Sequence, residues 1–169
     1  MYIGAQTRSE LARDPGAAAR ALIALWQSKC RGGIIPGRAD FDVGELKDWL
    51  GHLAIYAVEQ GADGPRFRFR LAGTMIVEYD GGDYTGRYLD EAIPAAYHRL
   101  FLPAYREVVR SRRPFLQTAN APNARGVEVR FTKVLLPLAS DGLTVDMVML
   151  FMFAQFPEHG RPANTYFLD

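Results

Sequence analysis

Hydrophobic and polar positions change their period several times along this chain, and each change marks an element. From Ala17 to about Arg31, Leu22, Leu25, Trp26 and Lys29 recur at helical spacing, with Ile23 beside them. Pro15-Gly16 opens that helix, Gly32-Gly33 stops it, and Pro36-Gly37 forces a turn. One apolar stripe on so short a helix predicts docking onto another surface, because such a helix is marginal alone in water. Glu45 to Leu50 reads as a second short helix carrying Leu46, Trp49 and Leu50, with Asp42 as N-cap and Glu45 completing a capping box.

The period then falls to that of a strand. His52 to Gln60 is apolar and rich in β-formers, Gly61 to Pro65 is a turn, and Arg66 to Leu71 alternates strictly. Phe67, Phe69 and Leu71 take one face and Arg66, Arg68 and Arg70 the other, which predicts an antiparallel hairpin with one face in the core. A helical turn capped by Thr74 is expected from Met75 to Tyr79, a loop from Asp80 to Arg87, and another turn from Leu89 to Ile93. From Pro94 or Ala95 to about Arg112, Tyr97, Phe101, Tyr105 and Val108 stack along a longer helix, which Pro103 should kink or restart. Three strands follow, Phe115 to Asn120, Val127 to Ala139 and Leu143 to Phe156, with turns at Pro122 to Gly126 and Ser140 to Gly142. This order describes an α+β domain with a five-stranded antiparallel sheet.

Composition narrows the class. The chain has 169 residues, 49% of them hydrophobic and 23% charged, which suits one globular core. A net charge of +1 exerts no global pull on nucleic acid or anionic membrane. The sole cysteine, Cys30, excludes an intrachain disulfide and an all-cysteine metal cluster, and it reads as a half-buried filler. Met1 to Glu10 lacks the pattern of a signal peptide, and Val145 to Phe156 is too short to span a bilayer, so a cytoplasmic location is expected.

The residues sharpen this picture. Leu25-Trp26, Gly37-Arg38-Ala39-Asp40-Phe41-Asp42 and Trp49-Leu50-Gly51-His52-Leu53 come first. Phe67 to Thr74, Tyr84 to Glu91 and Arg113-Pro114 follow in order. Across roughly residues 20 to 155, the chain in this respect resembles a family of stand-alone bacterial PAS proteins, found mainly in proteobacteria. The resemblance implies a PAS fold and a sensory role, and it supplies no catalytic residue. The expected organisation is an N-terminal helical cap over 1–50, a PAS domain over 51–156 and a C-terminal tail over 157–169.

A curved sheet closed by a helical flap makes one concave pocket. Its expected lining is Phe69 and Leu71 from the hairpin, Met75 and Tyr79 from the short helix, Tyr84 from the loop, Phe101 and Tyr105 from the longer helix, Gln117 from the next strand, and Met147 and Met149 from the last. The same residues also read as the filling of a solid core. The last strand is apolar on both faces, with Val145, Met147, Met149, Phe151 and Phe153 on one and Val148, Leu150 and Met152 on the other. It must therefore be covered twice. The Leu22/Leu25/Trp26 helix is the candidate cover, from its own chain or across a homodimer.

Other chemistry finds little to stand on. His52, His98 and His159 have no metal spacing. Haem-binding PAS domains take an axial histidine from the longer helix, but His98 is one step off its apolar stripe, which speaks against haem. Flavin is open, although Cys30 precedes the fold proper and so disfavours a cysteinyl adduct. The carboxylate pairs Asp40/Asp42, Asp80/Asp83 and Asp90/Glu91 suit turns and caps. No nucleophile elbow or phosphate loop exists, so no enzyme is expected. The arginine row lies opposite the phenylalanines, so one nucleic-acid strand would not meet both; paired, solvated arginines, with Glu128 as a candidate partner, fit better. The expected function is a sensor that binds a small molecule and signals by association with a separate protein or with itself, since the remaining length holds no output module. The alternative is a ligand-free interaction or scaffold domain.

Overall fold

The protein is described here as a computed structural model, covering residues 11–122 and 128–155. The expectations for Met1 to Glu10, for most of the Pro122 to Gly126 turn and for the tail from Pro157 lie outside those residues. Helix α1 (Pro15–Lys29) begins where Asp14 Oδ1 accepts the Ala17 N–H at 2.8 Å, with proline in its first turn. It ends at Cys30, and Gly32-Gly33 then closes a tight turn in which both glycines have positive φ, 56° and 85°. The expected helix from Glu45 to Leu50 is a series of turns ending in a short 3-10 segment, Leu50–His52. Its cap exists nonetheless, since Glu45 Oε2 accepts the Asp42 N–H at 2.9 Å.

The hairpin forms as β1 (Leu53–Gly61) and β2 (Gly64–Ala72). Then come α2 (Thr74–Asp80), α3 (Leu89–Ala92) and α4 (His98–Ser111). Of the two expected effects of Pro103, a kink or a restart, the restart does not occur, since helix α4 is continuous through it. Pro103 and Arg99 are both exposed, so water can solvate the carbonyl that proline leaves unbonded. Strands β3 (Phe115–Pro122), β4 (Glu128–Leu138) and β5 (Met147–Gln155) complete an antiparallel sheet in the order β2-β1-β5-β4-β3.

Register divides the sheet into two faces. Tyr56 is opposite Phe69 on one side and Val148 on the other, while Lys133 is opposite Met152 and Gln117. These residues share the inner face, which α4 covers: Tyr105 meets Tyr56 and Phe67 at ring-centroid distances of 5.3 and 5.2 Å. Leu53, Ile55, Val134, Leu136, Met149 and Phe151 share the outer face and are all buried. Helix α1 of the same chain packs on β4 and buries Ala19, Leu22 and Trp26. Trp26 Nε1 donates to the Pro137 carbonyl at 2.8 Å, and Trp49 Nε1 donates to the Ala18 carbonyl at 3.0 Å. Both indoles thus keep a polar contact while their rings are withdrawn from water. The apolar stripe of α1 is satisfied within one chain.

Candidate functional site

The inner face of the sheet is apolar with specific polar exceptions. Phe67, Phe69, Phe101, Tyr105, Leu135, Leu150 and Met152 are buried on it or against it. Tyr56 sits among them, its ring 4.5 Å from that of Phe69. Its side chain is 0% exposed, and its hydroxyl finds no hydrogen-bond partner in good geometry. Burial, followed by the charges of Tyr105 and Asp80 and a side-chain contact with Tyr105 that falls short of good hydrogen-bond geometry, holds its pKa well above the usual phenol value, so the group stays a protonated donor. Asp80, at the end of α2, is itself 3% exposed.

Lys133 is the second exception. It is 1% exposed, and its Nζ lies 5.5 Å from the centre of the Phe101 ring and 5.6 Å from that of Phe131. Both distances fall within cation–π range. Gln117, half-buried, is its cross-strand neighbour. Neither Tyr56 nor Lys133 was singled out by sequence reasoning. A signal for Lys133 existed, since it interrupts the otherwise apolar inward phase Phe131, Leu135, Pro137.

The expected lining is brought together only in part. Phe69, Tyr84, Phe101, Tyr105 and Gln117 do gather on this face, with Tyr84 6.1 Å from Phe69 between ring centroids. Met75 and Tyr79 stand at its end, Met75 against the Gly51 turn and Tyr79 with its ring 6.0 Å from His52. Three residues do not belong. Leu71 is 51% exposed, because the β1–β2 register shifts between Ile55 and Tyr56; Arg70 becomes the extra residue, and Leu71 is turned toward the outer face beside Ile55. Met147 and Met149 pair with Ala57 and Ile55 on the outer face, the opposite of their expected phase.

The two described histidines, His98 and His52, are engaged structurally, and His159 lies outside the described residues. His98 Nε2 bonds the Ile93 carbonyl at 3.0 Å, and the ring lines an outer crevice of about 460 Å³ with Glu59, Arg66, Tyr88, Asp90 and Arg106. It therefore does not face the interior as an axial haem ligand would. His52 is buried, with Nδ1 3.1 Å from the Met152 carbonyl, so that nitrogen carries the proton. Cys30, at the C-cap of α1, lies on the other side of the sheet from the inner face, away from any position for a flavin adduct there. Among the described residues, no group of three or more acidic, histidine or cysteine side chains is placed to hold a metal ion, and no helix is long and apolar enough to cross a membrane.

Two members of the arginine row, Arg66 and Arg68, are engaged by carboxylates, while Arg70 is exposed. Arg66 makes a two-pronged contact with Asp90 at 2.9 and 2.8 Å, reaches Glu91 at 3.1 Å and stacks 3.7 Å from the centre of the Tyr88 ring. Arg68 pairs with Glu59, which also accepts from the Tyr88 hydroxyl at 2.7 Å. Strand β4, which Glu128 opens, is three places away from β2 in the sheet. Together these contacts latch α3 to the hairpin.

An antiparallel sheet with an inner face closed by short helices and one longer helix is an α+β fold. The profile of the PAS domain family matches residues 16–152, and the chain belongs to that family. The match takes in α1 as well as the sheet. Among solved structures, one of a single-residue variant of RsLOV aligns with a TM-score of 0.46 and 12% identity, covering 64% of each chain. Another, described as "Flavin Analogue Sheds Light on Light-Oxygen-Voltage Domain Mechanism", aligns with a TM-score of 0.47 and 11% identity, covering 70% of this chain and 88% of the other. The flavin and light named there belong to that protein. No curated protein matches the sequence.

Proposed function

We propose that this PAS domain is a non-catalytic sensor that binds a small organic molecule between the inner face of its sheet and the α2–α4 flap. The observation that carries this reading is the Tyr56 hydroxyl, fully buried on that face without a well-formed hydrogen bond. A buried donor of this kind costs about 1–3 kcal/mol, and a ligand oxygen would recover it. Strand β4 contributes Lys133 to the inner face and carries α1 through Pro137. Occupancy sensed on one side therefore has a one-strand path to the helix on the other. We read α1 as the element that passes the signal to a separate protein or to a second copy, by a shift in population between bound and free states.

Native mass spectrometry of the freshly purified protein, with an absorbance spectrum of the same sample, tests the reading. The expected result is a non-covalent adduct that leaves on collisional activation, together with slower hydrogen exchange in α1 when it is present. A bare mass, with no change in α1 exchange across a chemically varied small-molecule library, sinks it. The second reading, a ligand-free interaction domain, is favoured by one observation. Ile34 and Leu143 are 51% and 60% exposed, and Ile34 packs on Gly142, so an apolar knob stands at that end of the sheet.

A further inference from the structure

Resting on that reading of α4 as flap and α1 as output, we propose that Arg112 is the strap that couples the two helices around the end of the sheet. The helices lie on opposite faces, and α1 leads into the Gly32-Gly33 turn. Arg112 Nη2 donates to the Gly33 carbonyl at 2.9 Å and to the Gly142 carbonyl at 3.2 Å. It thereby joins the end of α4 to the turn after α1 and to the turn between β4 and β5. Those two turns are also fastened to each other. The Gly142 carbonyl accepts the Ile35 N–H at 3.0 Å, and the Pro36 carbonyl accepts the Ala139 N–H at 3.0 Å. Ile34 closes over Gly142, where an added Cβ would lie 2.5 Å from the Ile34 Cγ2.

The strap is strained. Among the described residues Arg112 is the only one other than glycine with positive φ, 57°, where it caps α4 in the left-handed conformation. Glycine takes that position without steric cost, so a larger residue there needs a compensating contact. That contact is not an ion pair: no carboxylate among the described residues pairs with Arg112, and its Nε is buried without an acceptor. Both acceptors are main-chain atoms, so movement at the end of α4 passes directly to the backbone that follows α1. A strained residue with an incompletely satisfied guanidinium is poised to shift when α4 does, and such outliers gather at switch elements.

Hydrogen exchange by mass spectrometry on the full chain tests this without any ligand. Arg112→Gly should speed exchange at the bonded amides of Arg31, Ile34 and Ile35 about tenfold or more, leaving β4 and β5 protected. Arg112→Ala should match it, which separates loss of the guanidinium from relief of the backbone. The coupling is read with Leu102→Ala, a half-buried position roughly 15 Å along α4 from Arg112. With Arg112 present, Leu102→Ala should speed the same three amides about threefold or more. With Arg112→Gly it should add nothing there while still loosening α4. Val109→Ala takes its place if Leu102→Ala leaves α4 exchange unchanged, and circular dichroism checks that each variant is folded. Unchanged exchange in Arg112→Gly would overturn the strap. So would an effect of the α4 substitution that survives loss of Arg112, or one confined to α4 when Arg112 is present. The sensor reading fails separately: a bare native mass sinks it and leaves the tie between helices standing. A ligand that shifts α1 exchange equally with and without Arg112 would keep the sensor and overturn the strap.

Discussion

Tyr56 shows how a single atom can mark a candidate site that a sequence pattern conceals. In the apolar run Leu53 to Val58 it reads as one more inward ring, and its ring does pack as one, against Phe69 and Tyr105. The hydroxyl is what the period could not register. Tyr56→Phe removes a buried donor that has no well-placed acceptor, so the unliganded domain should be unchanged or stabilised by up to about 1 kcal/mol in urea titration. A loss of stability would mean that the hydroxyl is satisfied within the protein. Gly73 makes the converse point, because its φ of −69° is ordinary and only space demands glycine. A methyl group there would lie 2.5 Å from the carbonyl oxygens of both Gly51 and Leu50. Those atoms are backbone and cannot step aside, so Gly73→Ala should cost about 2–4 kcal/mol. The same measurement checks it, and a change under about 0.5 kcal/mol, the size of a neutral surface substitution, would refute the close contact.

At the scale of elements, two attachments control the sheet. Helix α1 covers the outer face through Leu22, Trp26 and Ala19, and Leu22 is 0% exposed. Leu22→Ala should therefore destabilise the whole domain by about 2–5 kcal/mol in one cooperative transition. If α1 were an independent appendage, the sheet would keep its unfolding midpoint. The other attachment is the latch of Arg66, Asp90, Glu91 and Tyr88. Because it joins α3 to the hairpin, Arg66→Gln should speed hydrogen exchange in residues 85–92 while leaving β4 and β5 protected. Uniform change across the domain would show that the latch has no local role. The helix stripe of α1 and the alternation of β2 were legible because each follows a period. The latch was not, since nothing local tells Arg66 that Asp90 will be within reach.

For the whole molecule, charge sets the response to acid. Six carboxylates among the described residues lie below their ordinary pKa, each chiefly through a hydrogen bond. Asp90 is bonded from Arg66, Glu59 from Tyr88, Asp83 from Thr85, Glu45 from Lys29, Glu107 from Arg110 and Asp141 from the Thr144 N–H. A carboxylate more acidic in the folded than the unfolded chain contributes stability above its unfolded pKa, about 4, and loses it as pH falls through the folded value. Denaturation midpoints should thus hold steady from neutral pH down to about 5 and then fall. A midpoint that rose on acidification below that point would contradict the bonding network.

Local rules alone determined the order of elements, the hairpin, the capped cover helix and the α+β class. Backbone geometry repeats over a few residues, and amphipathic faces follow from that repeat. They also placed Phe69, Phe101 and Tyr105 inward, because a ring in phase with its neighbours has one place to go. Tertiary structure decided the rest. A one-residue bulge at Arg70 turned Leu71 outward, a shift that alternation cannot announce because it depends on how β1 and β2 pair. Strand β5 is apolar on both faces, so its sequence held no preference for which would meet α4; pairing with β1 sent Met147 and Met149 to the α1 side. The same pairing brought Lys133, Gln117 and Tyr56, from three separate strands, onto one buried face. A candidate site assembled from residues that distant in the chain takes shape only once the strands have paired.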